Sequence, residues 1–209
     1  MHRVTFALAL VFALGACNTN PSKGKPQAEL SAASAAPVQA NQGGTTYSFS
    51  NDGSTLGFVG AKVTAKHEGT FKGFRGTVRV IDNDPTKSSV NVDIDTQSLE
   101  IEPAKLSGHL KSPDFFDVAK FPKASFVSTA IRPGGDHGAT HLITGNLTLH
   151  GVTKGVTFPA KITISPENVD VESEFAINRK DFGIVYPGMP DDLIKDDVLI
   201  KLKIRAKKG

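Results

Sequence analysis

The chain has 209 residues, with 24 Lys and Arg against 21 Asp and Glu, for a formal net charge of +3. That length suits one sizeable domain or two small ones, and 39% hydrophobic with 22% charged residues excludes a disordered or collagen-like chain. A single Cys excludes an intrachain disulfide framework and a Cys-based zinc finger, and the small positive charge gives no footprint for nucleic acid.

His2 and Arg3 precede an apolar run over residues 4–14, followed by Gly15, Ala16 and Cys17. The run is too short for a bilayer span, which takes about 20 apolar residues, and it has the three regions of a secretory signal. Leu14-Gly15-Ala16-Cys17 resembles the bacterial lipobox. The resemblance implies that residues 1–16 are removed and that Cys17, acylated, becomes the first mature residue and a membrane anchor. Each buried CH₂ of such chains contributes about 0.8 kcal/mol. Asn18 stands where an inner-membrane retention signal often places Asp, which points to the periplasmic side of the outer membrane.

Residues 17–45 are predicted to be the lipidated Cys and a tether. Residues 18–45 are rich in Ala, Pro, Gly and Ser without an aromatic residue, and reach roughly 30 Å as a flexible chain. A helical turn over residues 31–36 is the only local structure expected there.

From residue 46 to 209 the pattern is that of one β domain. Val90, Val92 and Ile94 alternate with Asn91, Asp93 and Asp95; Val156, Phe158, Ala160, Ile162 and Ile164 alternate with polar neighbours. Val169, Val171, Phe175 and Ile177 share one parity, and Val198, Ile200, Leu202, Ile204 and Ala206 another, opposite Lys201, Lys203, Arg205 and Lys207. Strict alternation marks sheets with one apolar and one wet face. Turn clusters at Asn51-Asp52-Gly53, Asp82-Asn83-Asp84-Pro85, Pro133-Gly134-Gly135-Asp136 and Ser165-Pro166-Glu167-Asn168 divide the runs into eight or so strands. The prediction is an all-β fold, an eight-stranded antiparallel barrel with one or two short helices, closure removing the edges. One helix is predicted over residues 102–111, with Pro103 in its first turn and Leu106 and Leu110 on its inner face. Asp114-Phe115-Phe116-Asp117 is expected as a plug or rim, and residues 186–192, with two Pro and a Gly, as a loop at a barrel mouth.

Five phrases in order carry a family resemblance. They are Gly60-Ala61-Lys62-Val63 with His67-Glu68-Gly69-Thr70-Phe71; residues 109–117; Phe121-Pro122-Lys123-Ala124-Ser125-Phe126; residues 145–154; and Ile177-Asn178-Arg179-Lys180-Asp181-Phe182-Gly183. Together they resemble the YceI-like family of secreted lipocalin-like barrels, over about residues 47–207. The resemblance implies a long internal apolar cavity and an association with polyisoprenoid lipids, without an agreed enzymatic reaction and without a cofactor. An eight-stranded barrel is either filled by its own side chains or holds one small ligand. Alternation alone leaves both open: a carrier of an isoprenoid-type lipid, or a filled envelope-stress or interaction module.

The cavity wall and mouth are expected from Phe74, Val92, Ile94, Leu110, Phe115, Phe116, Phe126, Leu147, Leu149, Phe158, Phe175, Arg179, Tyr186, Ile200 and Leu202. Arg179 is expected either to meet a lipid head group or to bridge Asp114 or Asp117, because its guanidinium forks onto carboxylates and phosphates. Lys111 is a second candidate for the head group. His67 and His150 are expected to make structural hydrogen bonds. His137 and His141 are four apart but straddle a turn, so their spacing does not read as a metal site. Ser112 near His109 lacks the nucleophile elbow of a hydrolase.

Overall fold

A computed structural model describes residues 20–34 and 43–209. The expected leader, the expected lipidation site Cys17, and residues 18, 19 and 35–42 of the expected tether lie outside the described residues.

The strands are β1 (Glu29–Ser31), β2 (Thr45–Ser50), β3 (Thr55–Ala61), β4 (Lys66–Phe71), β5 (Phe74–Ile81), β6 (Asp84–Asp95) and β7 (Leu99–Ile101). After helix α1 (Ala104–Lys111) come β8 (Lys123–Pro133), β9 (His141–Leu149), β10 (Val152–Ile164) and β11 (Asn168–Asn178). Last are β12 (Gly188–Met189), β13 (Asp192–Leu193) and β14 (Asp197–Lys208). Three long staves are each broken once. The first is β2 with β3 and the second β4 with β5, paired antiparallel along their length; the third is β6 with β7. The remaining five are β8, β9, β10, β11 and β14, each paired to its sequence neighbour, and β14 pairs back onto β2 and β3. The sheet is a closed eight-stranded antiparallel barrel, as alternation predicted. Asn51-Asp52-Gly53 is not a hairpin turn but the break inside the first stave, because β14 holds both of its halves. Asp82 and Asn83 (φ 52° and 57°), and His150 and Gly151 (φ 51° and 75°), make two-residue turns, whose positive φ matches the twist of the strands they join.

The two ends of the barrel differ. At the end where β5 turns into β6, the interior is filled by Tyr47, Val78, Val80, Ile131, Ile143, Ala160, Val169 and Ala206, all buried. The Tyr47 hydroxyl donates to the carbonyls of Ser165 and Pro166, each at 3.3 Å. At the other end two additions widen the ring. Beyond Asp95 the third stave leaves β8, and α1 packs on β7, with the Ser107 hydroxyl donating to the Leu99 carbonyl at 3.2 Å. Between β10 and β11 the ladder stops at the Lys161–Glu172 pair, and residues 26–31 fill the gap. Glu29–Ser31 pair antiparallel with residues 155–157 of β10. The Ala28 amide donates to the Ala176 carbonyl at 2.9 Å, and the Ala176 amide to the Pro26 carbonyl at 2.8 Å.

Residues 20–34 therefore differ from the expected linker: they form a strap bonded to the barrel, and residues 31–34 are not helical. The physical reason is backbone pairing. The strap has little to bury beyond Ala28, but β10 and β11 present open edges to it, and a ladder needs no particular side chain. Each added strand adds about 4.8 Å to a barrel's girth.

Candidate functional site: an apolar cavity in one half of the barrel

The widened half encloses a cavity of about 800 Å³, inside the range of roughly 300–1,000 Å³ usual for small-molecule pockets. The interior is thus neither filled throughout nor hollow throughout.

Fourteen of the fifteen residues predicted from sequence line this space. Val92 and Ile94 come from β6, Phe126 from β8, and Leu147 and Leu149 from β9. Phe158 and Phe175 stack face to face at 4.3 Å where β10 and β11 splay apart. Ile200 and Leu202 come from β14, and Leu110, Phe115, Phe116, Tyr186 and Arg179 stand toward the mouth. Phe74 is the exception. It follows the break between β4 and β5 and packs on Phe49, centroids 6.4 Å apart, so Phe49 takes the wall position and Phe74 lies behind it.

Sequence reasoning missed Phe49, Phe58 and Phe71 on the wall. For Phe49 and Phe58, as for the predicted Phe126, the signal is a glycine on a neighbouring strand. A Cβ on Gly69 would stand 2.4 Å from the Phe58 ring, one on Gly76 2.2 Å from Phe49, and one on Gly145 2.4 Å from Phe126. The outer edge of each ring takes the space of a missing Cβ on a neighbouring strand, which lets these three rings sit against the wall and helps a chain with 13 Phe keep a void.

The mouth is framed by α1 and residues 186–195. Phe116 stands over Phe58 and Phe71, at 6.3 and 5.7 Å. His109 contacts the rings of Phe115 and Tyr186 at 5.0 and 5.2 Å and bonds Asp114 through Nε2 at 2.9 Å. Lys62 pairs with Asp192, whose Oδ1 also accepts from the Thr64 amide at 3.1 Å and hydroxyl at 3.0 Å. The Lys62 ammonium, and then Thr64, hold the Asp192 carboxyl below its ordinary value of 3.8.

Arg179, 5% exposed, meets neither Asp114 nor Asp117. Its Nη1 donates to the Ile184 carbonyl at 2.7 Å, Nε to that of Lys195 at 3.1 Å, and Nη2 to Ile194 and Asp196. Burial lowers its pKa and Asp196 opposes that. Its fork is spent on the carbonyls of the loop that edges the mouth, so it positions that loop. Lys62, Lys105 and Lys195, and not Lys111, are the lysines on the cavity lining, and His67 joins them. His150 accepts its structural role: Nδ1 lies 3.1 Å from the Phe182 carbonyl and the ring sits 4.6 Å from Phe121. Among the described residues no three His, Cys, Asp or Glu side chains converge on one point.

A closed antiparallel barrel with an apolar hollow opening at one end defines the lipocalin-like class of binding barrels. A YceI-like domain model matches residues 47–206, and the chain belongs to the YceI-like family. It is 39% identical over 139 residues to a UPF0312 protein of Pseudomonas putida (strain W619), covering 64% of this chain and 71% of that protein. It is 43% identical over 122 residues to Protein YceI of Salmonella arizonae, covering 56% of this chain but 62%, less than two thirds, of that relative. Among solved structures it is similar to BcnA of Burkholderia cenocepacia, with TM-score 0.67 and 25% identity over 76% of this chain and 99% of that one. A polyisoprenoid binding domain from Saccharophagus degradans has TM-score 0.63 over 79% of this chain and 99% of its own; at 16% identity the likeness is one of fold.

Proposed function

We propose that this chain is a periplasmic protein, anchored through an acylated Cys17 on the outer membrane, that sequesters or carries an isoprenoid-type lipid in the barrel cavity. The observation that carries the reading is the void itself: about 800 Å³ walled by Val, Ile, Leu and Phe, three of the rings seated against glycines. A hydrocarbon tail entering such a wall gains roughly 25 cal/mol for each Å² removed from water. No bond is made or broken; the mechanism is desolvation of the tail, with Phe116, Tyr186 and the 186–195 loop controlling access. The lipobox resemblance supports the anchor, and the Saccharophagus domain's description as polyisoprenoid binding supports the choice of lipid.

Organic extraction of the protein purified from its native membrane, followed by mass spectrometry, is expected to release one isoprenoid-type lipid per chain. Empty cavities in several preparations would overturn the reading. Gly69→Val is expected to push the Phe58 ring off the wall into the lumen and abolish lipid recovery while the barrel stays folded. Cys17→Ser is expected to move the protein from the membrane to the soluble fraction.

A further inference from the structure

The strap fixes where an anchor would meet the barrel. Gly24, Lys25 and Pro26 share a groove with residues 172–174 of β11, residues 201–203 of β14 and residues 136–139, the loop joining β8 to β9 at the packed end. Lys25 pairs with Glu174. Further along, the Ser34 amide donates to Asn146 Oδ1 and Asn146 Nδ2 donates to the Ser34 carbonyl, both at 2.9 Å. The seat is built for this crossing: a Cβ on Gly155 of β10 would stand 2.3 Å from Ser31 Oγ and 2.8 Å from the Ala32 carbonyl.

Cys17 precedes Asn20 by three residues. At no more than about 3.6 Å per residue, its Cα lies within roughly 11 Å of that of Asn20. A free chain from Cys17 to β2 would reach roughly 30 Å, so the strap converts a long leash into a short one. The short leash leaves from the flank near the packed end, away from the mouth.

We propose that the β11–β14 flank, with the strap across it, rests on an anionic phospholipid surface, so that the barrel lies side-on with its mouth opening along the membrane. On this flank Lys161 and Lys203 stand on either side of Glu172 and hold no ion pair within 4.0 Å among the described residues, and with Lys25 and Lys201 they outnumber the acids Asp136, Glu172 and Glu174 of the same groove; an anionic leaflet attracts such cations. The inference rests on the anchoring at Cys17. Its competitor is a mouth-down pose on the exposed rim side chains Val63, Val185, Met189 and Leu193.

Acylation of Cys17 leaves the chain without a thiol, so a single introduced Cys carries a fluorophore uniquely. The acylated protein is placed in vesicles of phosphatidylethanolamine and phosphatidylglycerol holding a quencher at head-group depth. Labels are compared at Glu172→Cys on the flank, Met189→Cys on the rim and Asn91→Cys on β6, across the barrel from β11. Quenching several-fold stronger at Glu172→Cys than at the other two sites is expected. Stronger quenching at Met189→Cys, or equal quenching at all three, would overturn the side-on pose with the anchor intact. Recovery of unlabelled native protein in the soluble fraction would instead overturn the anchoring reading and the pose with it. In a Gly155→Val background, where the strap loses its seat, quenching at Glu172→Cys is expected to fall to the level of Asn91→Cys; unchanged quenching would show that the strap does not set the orientation.

Discussion

The packed half and the hollow half of this barrel are made from the same eight staves and the same alternating aliphatic residues. They differ in what interrupts the ladders. In the packed half β5, β6, β8, β9, β10, β11 and β14 run as near neighbours, and Val90, Ile162 and Val171 join the group of Tyr47, Val78, Val80, Val169 and Ala206 to that of Ile131, Ile143 and Ala160. In the hollow half a strap enters between β10 and β11, β7 leaves β8, and Phe49, Phe58 and Phe126 sit against glycines. Girth rises with strand number while the side chains stay the same size, so widening by one strand leaves the axis empty. A cavity here needs no unusual wall residues; it needs an extra strand and a few missing Cβ atoms.

If the two halves differ in packing, truncation is felt unequally in them. Ile143→Ala, in the packed half, removes a 4% exposed side chain from a filled layer. It is expected to lower unfolding free energy by about 3 kcal/mol, the transfer and cavity contributions both being felt. Ile200→Ala faces an existing void, so the cavity contribution is already present, and a loss of about 1 kcal/mol is expected. Urea unfolding of the two variants measures the difference. An intermediate effect comes from the loop at the mouth. Arg179→Met leaves the carbonyls of Ile184, Ile194 and Lys195 without their donor and is expected to cost about 2 kcal/mol. Hydrogen exchange should rise over residues 184–196 and stay unchanged in β5 and β9; a rise across the whole barrel would show that the halves are one cooperative unit.

The barrel was legible because alternation reports which face is dry, and eight dry faces close only one way. Most of the wall followed from the same parity: Val92, Leu147, Phe175 and Ile200 had to point inward. Parity does not report height along the axis, which is why Phe74 was placed on the wall when Phe49 covers it. It also does not distinguish an inward ring that fills a lumen from one that sits against Gly69 or Gly76, a matter of cross-strand register. The strap was illegible for a different reason. Its pairing is made by backbone atoms of Pro26, Ala28 and Glu29–Ser31, which any composition supplies. Arg179 does line the cavity, but the alternative of a bridge to Asp114 or Asp117 fails, because its fork closes on carbonyls of a loop that only the fold brings near.

The smallest expected effect is one of pH, and it separates the halves most cleanly. Asp192 clasps the mouth loop to Lys62 and Thr64, and these bonds hold its carboxyl below the ordinary value of 3.8. A carboxyl whose folded pKa is depressed contributes its stabilisation fully above the unfolded value, and loses it as pH falls through the lowered one. The clasp is therefore expected to stay closed through mildly acidic pH and to open only in stronger acid. Asp84, bonded by Thr86 beside the packed end, is depressed in the same direction, so bulk acid unfolding cannot tell the two apart. The chain has two tyrosines, Tyr47 in the packed half and Tyr186 at the mouth. Fluorotyrosine labelling thus gives one NMR resonance for each half. In a His109→Gln background, which removes the titratable ring beside Tyr186, the Tyr186 signal is expected to move on acidification before that of Tyr47, and Asp192→Asn is expected to give the shifted Tyr186 signal already at neutral pH. Simultaneous movement of both resonances would mean that the mouth loop opens only when the whole barrel unfolds.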